Sequence, residues 1–263
     1  MRYIIGDVAR TLGLTTAGLH YFEKEGVIAP RKGAETRRFY DAEDIIRLIS
    51  YKKYRAMEMP MKEIVHQFSP EGENCDGIIA KMHAQQEQMR VLSRKYAQLA
   101  EDIRWFEEGI SRVQTHNGEI DLAIMPECCT LSVGKDGLIS RNKEEQNLIA
   151  SWLECMPSTR LSVFGYENGT AAFGYSLPLE RAIALGLDRT PGAQQFKSCV
   201  ALHMCRQLSR TYFNHPELAF TPLWEEMQRR GFQQAGPALG VHFCVDCSQG
   251  KREILCELWL PIQ

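Results

Sequence analysis

Apolar positions along this chain change their spacing twice, and each regime predicts a different kind of element. Ile5, Val8, Ala9 and Leu12 recur at the three-and-four spacing of one helix face. Gly13 interrupts that repeat, and Thr15 can cap a second helix running from Thr16 to about Glu25. In this second helix Leu19 and Phe22 fall on the inward side, which leaves Thr16, Ala17, His20, Tyr21 and Lys24 outside. Two short helices joined at a glycine turn make a helix-turn-helix, and the second helix is the one shaped to enter a major groove. From Val27 to Tyr40 two short extended runs surround RKGAE, a wing carrying Arg31, Lys32, Arg37 and Arg38 toward phosphates. A third helix is expected from Asp41 through about Met57, and a fourth from Pro60, with Ile64, Val65 and Phe68 inward and Lys62 in its first turn. Proline is tolerated there because the first helical N–H has no intrahelical partner.

The next stretch is the most regular. Ile78, Met82, Gln85, Met89, Leu92, Tyr96, Leu99, Ile103, Phe106, Ile110 and Val113 alternate steps of four and three, with Gln85 the one polar member. Such a seam predicts a helix about 54 Å long that pairs with a partner. Because a lone helix of that length overhangs a domain of ordinary size, a homodimer through residues 78–113 is expected. The alternative is that the stripe packs on the chain's own C-terminal part.

After His116-Asn117-Gly118 the texture becomes β. Strand-like runs occur at 120–133, 161–166, 171–177, 194–206, 241–247 and 253–261, with helices at 143–156 and 216–230, the latter closed by Gly231. The order is strand, helix, two strands, then the same again. It predicts an α+β domain of two β-α-β-β halves facing each other across a cleft. In the last run, alternation sets Leu255, Glu257 and Trp259 on one face and Ile254, Cys256, Leu258 and Leu260 on the other. A carboxylate beside an indole suits a lipophilic cation, since the ring face attracts positive charge and the carboxylate neutralises it. Phe173 and Tyr175 share a face of their strand, and Tyr166, Phe243 and Trp152 are further candidate walls, although each aromatic alone also fits plain core packing. For Glu257 function is favoured, because a carboxylate among Leu and Trp is costly to bury without a partner.

Composition narrows the classes. The chain has 263 residues, 44% hydrophobic and 24% charged, an ordinary globular balance with no apolar run of membrane length. Asp7 falls where a signal peptide needs apolar residues, so a cytoplasmic location with no membrane partner is expected. The net charge of −2 hides an asymmetry: residues 1–70 carry 12 basic and 9 acidic side chains, and the remainder has an acidic excess. A nucleic-acid footprint must therefore come from local clustering. Nine cysteines without a secretion signal argue for reduced thiols and no disulfide framework. Cys75, the Cys128-Cys129 pair and Cys244-x-x-Cys247 raise a thiolate metal sensor as an alternative. A single CxxC without a second pair is poor evidence for zinc, and residues 244 and 247 point to opposite faces unless a strand ends between them. No metal site and no cofactor are expected. GxSxG, HExxH and Gly-rich phosphate loops are absent, and His203, His215 and His242 stand isolated in the sequence, so no enzyme activity is expected.

Residues 4–68 closely resemble the DNA-binding domain of the MerR family: IGDVART at the first helix, LTTAGLHYFEKEGVIAP at the second, RRFY in the wing, then DAEDIIRLISYKKYRAMEMPMKEI. The family usually has Arg-Tyr-Tyr where this chain has His20, Tyr21 and Phe22, and Tyr-Arg-x-Tyr where it has Arg37, Arg38, Phe39 and Tyr40. Tyr21, Arg38 and Tyr40 match. His20 departs, and an imidazole is not a guanidinium fork. The resemblance implies a winged helix-turn-helix touching double-stranded promoter DNA through Thr16, Ala17, His20, Tyr21, Lys24, Arg31, Lys32, Arg37, Arg38, Tyr40 and Lys62. It also implies an antiparallel dimer through the long helix, and a ligand-driven distortion of the promoter that lets RNA polymerase engage. The terminal CELWLPIQ and the strand order resemble the gyrase-inhibitor-like effector-binding domain of multidrug-sensing members. That similarity implies a ligand cleft at Glu257 for a small hydrophobic, cationic compound. The expected class is thus multidomain: an all-α winged helix-turn-helix over 1–70, a coiled-coil dimerisation helix over 71–118 and an α+β effector-binding domain over 119–263. Since some free-standing relatives of the last domain hydrolyse small electrophiles, a hydrolytic activity is a further alternative.

Overall fold

A computed structural model describes residues 2–32, 38–69, 72–134, 139–140, 142–250 and 252–263. The chain forms two compact units, Met1–Lys95 and Tyr96–Gln263. The division falls inside the long helix rather than at residues 70 and 118, because the two ends of that helix each pack within a different unit.

In the first unit β1 (Tyr3–Ile4) leads into α1 (Ile5–Leu12), which stops at Gly13 in the left-handed region, φ 60°. Glycine enters that region without steric cost. α2 (Thr16–Lys24) starts at Thr15, whose hydroxyl accepts the Gly18 N–H at 3.0 Å. β2 (Arg31–Lys32) and β3 (Arg38–Tyr40) pair antiparallel, and β3 also pairs with β1. α3 (Ala42–Ala56) opens on a reciprocal cap between Asp41 and Asp44, and the buried Asp44 also accepts the Ala29 N–H at 2.9 Å. That bond ties the segment before the wing to the third helix. α4 (Met61–Gln67) follows Pro60, as expected. One core joins these elements: Val8, Leu19, Phe22, Ile28, Leu48 and Ile64, with Ile78 and Met82 from the start of α5 (Cys75–His116) packed against it.

In the second unit the strands are β4 (Ile120–Met125), β5 (Cys128–Gly134), β6 (Arg160–Gly165), β7 (Ala171–Pro178), β8 (Ala193–Phe196), β9 (Cys199–Leu208), β10 (Ala238–Asp246) and β11 (Glu253–Pro261). The helices are α6 (Lys143–Leu153), α7 (Leu179–Leu185) and α8 (Thr221–Arg230). The strands form one sheet in the order β4-β9-β11-β10-β6-β7-β5-β8. Reading outward from the β10–β6 junction, each side presents the second, third and first strand of a β-α-β-β run. An edge strand borrowed from the other run completes each side.

Several expected boundaries shift for local reasons. The run 120–133 is two strands broken at Pro126, and 194–206 divides into β8 and β9. The helix expected over 216–230 is a 3-10 turn at Pro216–Ala219 followed by α8. α7 was not expected: its seven residues are too short for a helical period to stand out.

The sheet's two faces are covered differently. α8 with Phe220 and Leu223 seals Leu202, Met204, Leu258 and Leu260, while α6 and α7 seal Leu131, Tyr175 and Leu177. On the opposite face Cys205, Phe243 and Leu255 meet Phe106, Ile110 and Val113 of α5. A Cβ at Gly109 would lie 2.1 Å from the Phe243 ring, so the ring's approach to the helix requires glycine there. The heptad seam is therefore divided. Its first members join the core of one unit and its last members join the sheet of the other, while Tyr96 at 63% and Ile103 at 57% exposure stand between them. This corrects the expectation that the whole of 78–113 is free for a second copy. Among the described residues no helix is long and apolar enough to cross a membrane.

Candidate functional site

The helix α2 presents Thr16, Ala17, His20, Tyr21 and Lys24 at the surface, as its sequence period requires. Its last turn is joined to the wing. Arg38 Nη1 donates to Glu23 Oε2 at 2.6 Å and lies 2.9 Å from His20 Nδ1, which is itself 3.1 Å from the same carboxylate. A ring nitrogen takes one role at a time, so Nδ1 either accepts from Arg38 or donates to Glu23. His20 thus bridges α2 to the wing. The Tyr40 hydroxyl donates to Glu23 Oε1 at 2.6 Å. Burial raises the Glu23 carboxyl, but hydrogen bonds from Tyr40 and His20 and the charge of Arg38 outweigh it and leave the group below its ordinary value. Burial, then the bond to Glu23, holds the Tyr40 phenol well above its own.

Tyr40 is completely buried, which corrects its place among the DNA contacts. The end of β3 turns its ring into the core, so its work is to fix the wing rather than to touch a phosphate. Arg31 is exposed and 3.2 Å from Asp41, and Lys62 is exposed in the first turn of α4. Lys32 is paired opposite Arg38 in the β2–β3 ladder, and Arg37 lies outside the described residues.

The second constellation surrounds Glu257. Alternation along β11 turns Leu255, Glu257 and Trp259 to the α5 side of the sheet, and Glu257 is buried at 3% exposure. It is not a bare carboxylate. Arg112 of α5 donates from Nε to Oε1 at 2.6 Å, His203 Nε2 stands 3.5 Å from the same oxygen, and the Cys205 thiol lies 3.9 Å away. His203 Nδ1 is in turn 2.9 Å from Asp121 Oδ1. Strand register produces this grouping: His203 and Cys205 are two apart on β9, Glu257 is directly opposite Cys205, and Asp121 is directly opposite His203. Burial raises the Glu257 carboxyl, yet the hydrogen bonds from His203 and Arg112 outweigh it and hold the group below its ordinary value. Burial likewise opposes the charge on His203, but bonds to Cys205, Glu257 and Asp121 push it up to about 10. His203, expected to be an isolated histidine, is a hydrogen-bonded member of this cluster.

A cleft of about 530 Å³ is lined by Trp105, Arg160, Asp102, Glu101, Glu108 and Glu180, among others. The Arg160 guanidinium lies 3.4 Å from the centre of the Trp105 ring. Burial pushes its pKa down to about 10, partly offset by Asp102.

The other expected ligand residues divide between faces. Trp259 is next to the cluster, its ring 5.3 Å from His203, and Tyr166 packs half-buried against the apolar group that includes Trp259, Phe164 and Leu239. Phe243 is on the same side, 4.7 Å from Trp105. Phe173, Tyr175 and Trp152 are not there. The period of β7 turns residues 173 and 175 under the helices, where Phe173 meets Tyr212 at 5.5 Å and Tyr175 shares a core with Trp152. These three are corrected to core residues. Arg112, His203, Cys205, Asp121, Trp105 and Arg160 were missed. The β9 alternation could have marked His203 and Cys205 as neighbours, whereas nothing local to Glu257 points 145 residues back to Arg112. All nine cysteines are free thiols. Cys128 and Cys129 are consecutive in β5 and so face opposite ways, burial pushing the Cys128 thiol up to about 12, and β10 ends at Asp246 before Cys247.

Comparison with known proteins bears on the first unit. The family described as MerR HTH family regulatory protein matches residues 3–69. The HTH-type transcriptional regulator SkgA of Caulobacter vibrioides is 31% identical over 100 residues, 38% of this chain and 38% of that protein. The match thus spans well under half the length of this relative. Among solved structures, the EcmrR–DNA complex in EcmrR-RPo aligns over 99% of both chains at 13% identity and a TM-score of 0.35. A hydrolase from Listeria innocua aligns over 60% of this chain and 98% of its own at 12% identity and a TM-score of 0.36. Structural likeness at that level fixes no fold, whereas the family match is local and specific: residues 3–69 are similar to the helix-turn-helix of the MerR family of regulatory proteins.

Proposed function

We propose that the chain is a ligand-responsive transcription regulator that binds promoter DNA as a homodimer and senses a small hydrophobic cation with its second unit. The DNA reading is supported by the exposed row Thr16, Ala17, His20, Tyr21 and Lys24 on α2, flanked by Arg31 and Arg38 of the wing and by Lys62. The dimer is attributed to the exposed middle of α5 around Tyr96 and Ile103. Two β-α-β-β runs meeting at one junction support a gyrase-inhibitor-like effector domain.

One observation carries the sensing: the buried carboxylate Glu257 is neutralised by Arg112 from the long helix. A lipophilic cation that takes the place of Arg112 exchanges one positive charge for another, so Glu257 is never left bare in a low-dielectric site. Aromatic faces at Trp259, Phe243 and Trp105 supply the remaining attraction, and the Trp105 face already holds a guanidinium. Releasing Arg112 removes a charge-assisted tie between α5 and the sheet, and the same helix contributes Ile78 and Met82 to the DNA-binding unit's core. In the activator reading this changes how the two DNA-binding halves hold the duplex. Promoter bending then costs about 1–6 kcal/mol, within reach of a ligand's differential affinity, and RNA polymerase engages the bent DNA.

Two measurements test this. Selection of tight binders from a random duplex pool should enrich a two-fold symmetric site, and enrichment of nothing would remove the regulator reading. Calorimetric titration with tetraphenylphosphonium should show micromolar binding that Glu257→Gln weakens tenfold or more, about 1.4 kcal/mol. Equal binding by both proteins would take Glu257 out of the site.

A further inference from the structure

The donor atoms of His203, Cys205 and Glu257 lie within 4.8 Å of one another. We propose that they form a divalent metal site of zinc-like character, with His203 Nε2, Cys205 Sγ and a Glu257 carboxylate oxygen as ligands and Asp121 as the residue that positions the imidazole. The site is independent of the DNA-binding reading, and of the cation reading it shares one residue, Glu257.

Geometry supports it at three levels. The sheet register places the donors on one face by backbone pairing alone: residues 203 and 205 are two apart on β9, and residue 257 is opposite 205. Two donor separations, 3.5 Å from Nε2 to Oε1 and 3.9 Å from Sγ to Oε1, are close to the roughly 3.3–3.6 Å that tetrahedral angles and bonds of about 2.0–2.3 Å require. The third, from Nε2 to Sγ, is within the same 4.8 Å. The imidazole is also set for a metal. Asp121 engages Nδ1 at 2.9 Å, leaving Nε2 toward the other two donors, the carboxylate–histidine arrangement that fixes a ligating ring and raises its basicity.

One nitrogen, one thiolate sulfur and one oxygen suit an ion of borderline softness, and neither calcium nor magnesium accepts the sulfur. Three protein ligands leave a fourth position for water or a small donor. None of the cysteines singled out in the sequence takes part: Cys205 was unmarked because its partners come from another position on its strand and from a strand 52 residues away. Arg112 donates to the same carboxylate oxygen and is itself half-exposed, so a bound ion competes with it for Glu257.

The test uses the full chain, stripped of metal and kept reduced. Titration with Co²⁺ should give one equivalent bound, with a near-ultraviolet thiolate-to-cobalt charge-transfer band that Zn²⁺ abolishes. Cys205→Ser should remove the band, whereas the double replacement Cys244→Ser, Cys247→Ser should leave it intact. Asp121→Asn changes an exposed side chain, so folding is retained, and should keep the band while weakening affinity about tenfold or more. Absence of the band, or a band that survives Cys205→Ser, overturns the proposal. So does an affinity indifferent to Asp121→Asn. Tetraphenylphosphonium binding measured on Cys205→Ser separates the two readings: the variant should still bind the organic cation if that reading holds, whatever happens to cobalt.

Discussion

His242 sits fully buried on the helix-covered side of β10, its Nε2 2.7 Å from the Tyr212 hydroxyl. Burial holds it neutral, pushing its pKa down to about 4 from the ordinary 6.5. The unfolded chain therefore takes up a proton before the folded one does. Stability from this residue is complete above about pH 6.5 and is lost progressively as the pH falls toward 4, a total on the order of 3 kcal/mol. All four tryptophans, at 105, 152, 224 and 259, belong to the second unit, so their fluorescence reports its unfolding separately from the first. Urea midpoints of the native chain should drop between pH 6.5 and 4, and His242→Gln should flatten that drop. Parallel pH curves for the two proteins would mean that the buried imidazole is not the acid-labile group. Glu257, buried too, keeps its charge through Arg112 and His203, which shows that neighbours rather than depth decide protonation on the two sides of this sheet.

At the scale of elements, α5 answers to three different surroundings along one apolar stripe. Ile110→Asp places a carboxylate among Val113, Phe243 and Leu255 and should unfold the second unit or lower its stability by several kcal/mol. Tyr96→Asp with Ile103→Asp alters exposed positions and should leave tryptophan emission unchanged while abolishing the dimer, measured by sedimentation. A dimer that persists would place the contact between copies elsewhere. This helix also marks the limit of what the sequence conveys. Its existence and apolar face were legible because a 3.5-residue period survives over many turns. What each stretch faces was not, since a seam for a second helix and a stripe for a sheet read alike. The first unit was legible nearly throughout because Gly13, Thr15 and Asp41 act on their immediate neighbours. The alternation of β11 gave Glu257 and Trp259 their common face, yet the same period put Phe173 and Tyr175 under helices, since which face a cleft occupies depends on where distant elements pack. Tyr40 was taken for a contact because its role depends on Glu23, a residue 17 positions earlier.

At the scale of the whole molecule, the proposed regulator must couple a site at Glu257 to affinity for DNA, and coupling is reciprocal: a cation that changes DNA affinity by some factor has its own affinity changed by that factor. The tie available for this is Arg112, which belongs to α5 and is bonded to a buried carboxylate of the last strand. With it in place, ligand binding must break a charge-assisted hydrogen bond, and the free energy of that exchange is what α5 can transmit. Arg112→Gln leaves Glu257 without its guanidinium partner and leaves the helix without its latch. Tetraphenylphosphonium should then bind about tenfold or more tightly, because the guanidinium no longer competes with it for the carboxylate. Coupling should fall as well. In the native chain the ligand's affinity should differ with and without the selected duplex by a factor of roughly 5–150, the usual range for allosteric pairs. In Arg112→Gln the two affinities should approach equality, because the state that ligand would induce is already populated. A four-corner calorimetric cycle, native and variant with and without duplex, measures both quantities at once. An undiminished coupling in the variant would show that the signal leaves the sheet by another route, through the apolar contacts of Phe106, Ile110 and Val113 rather than through the charge.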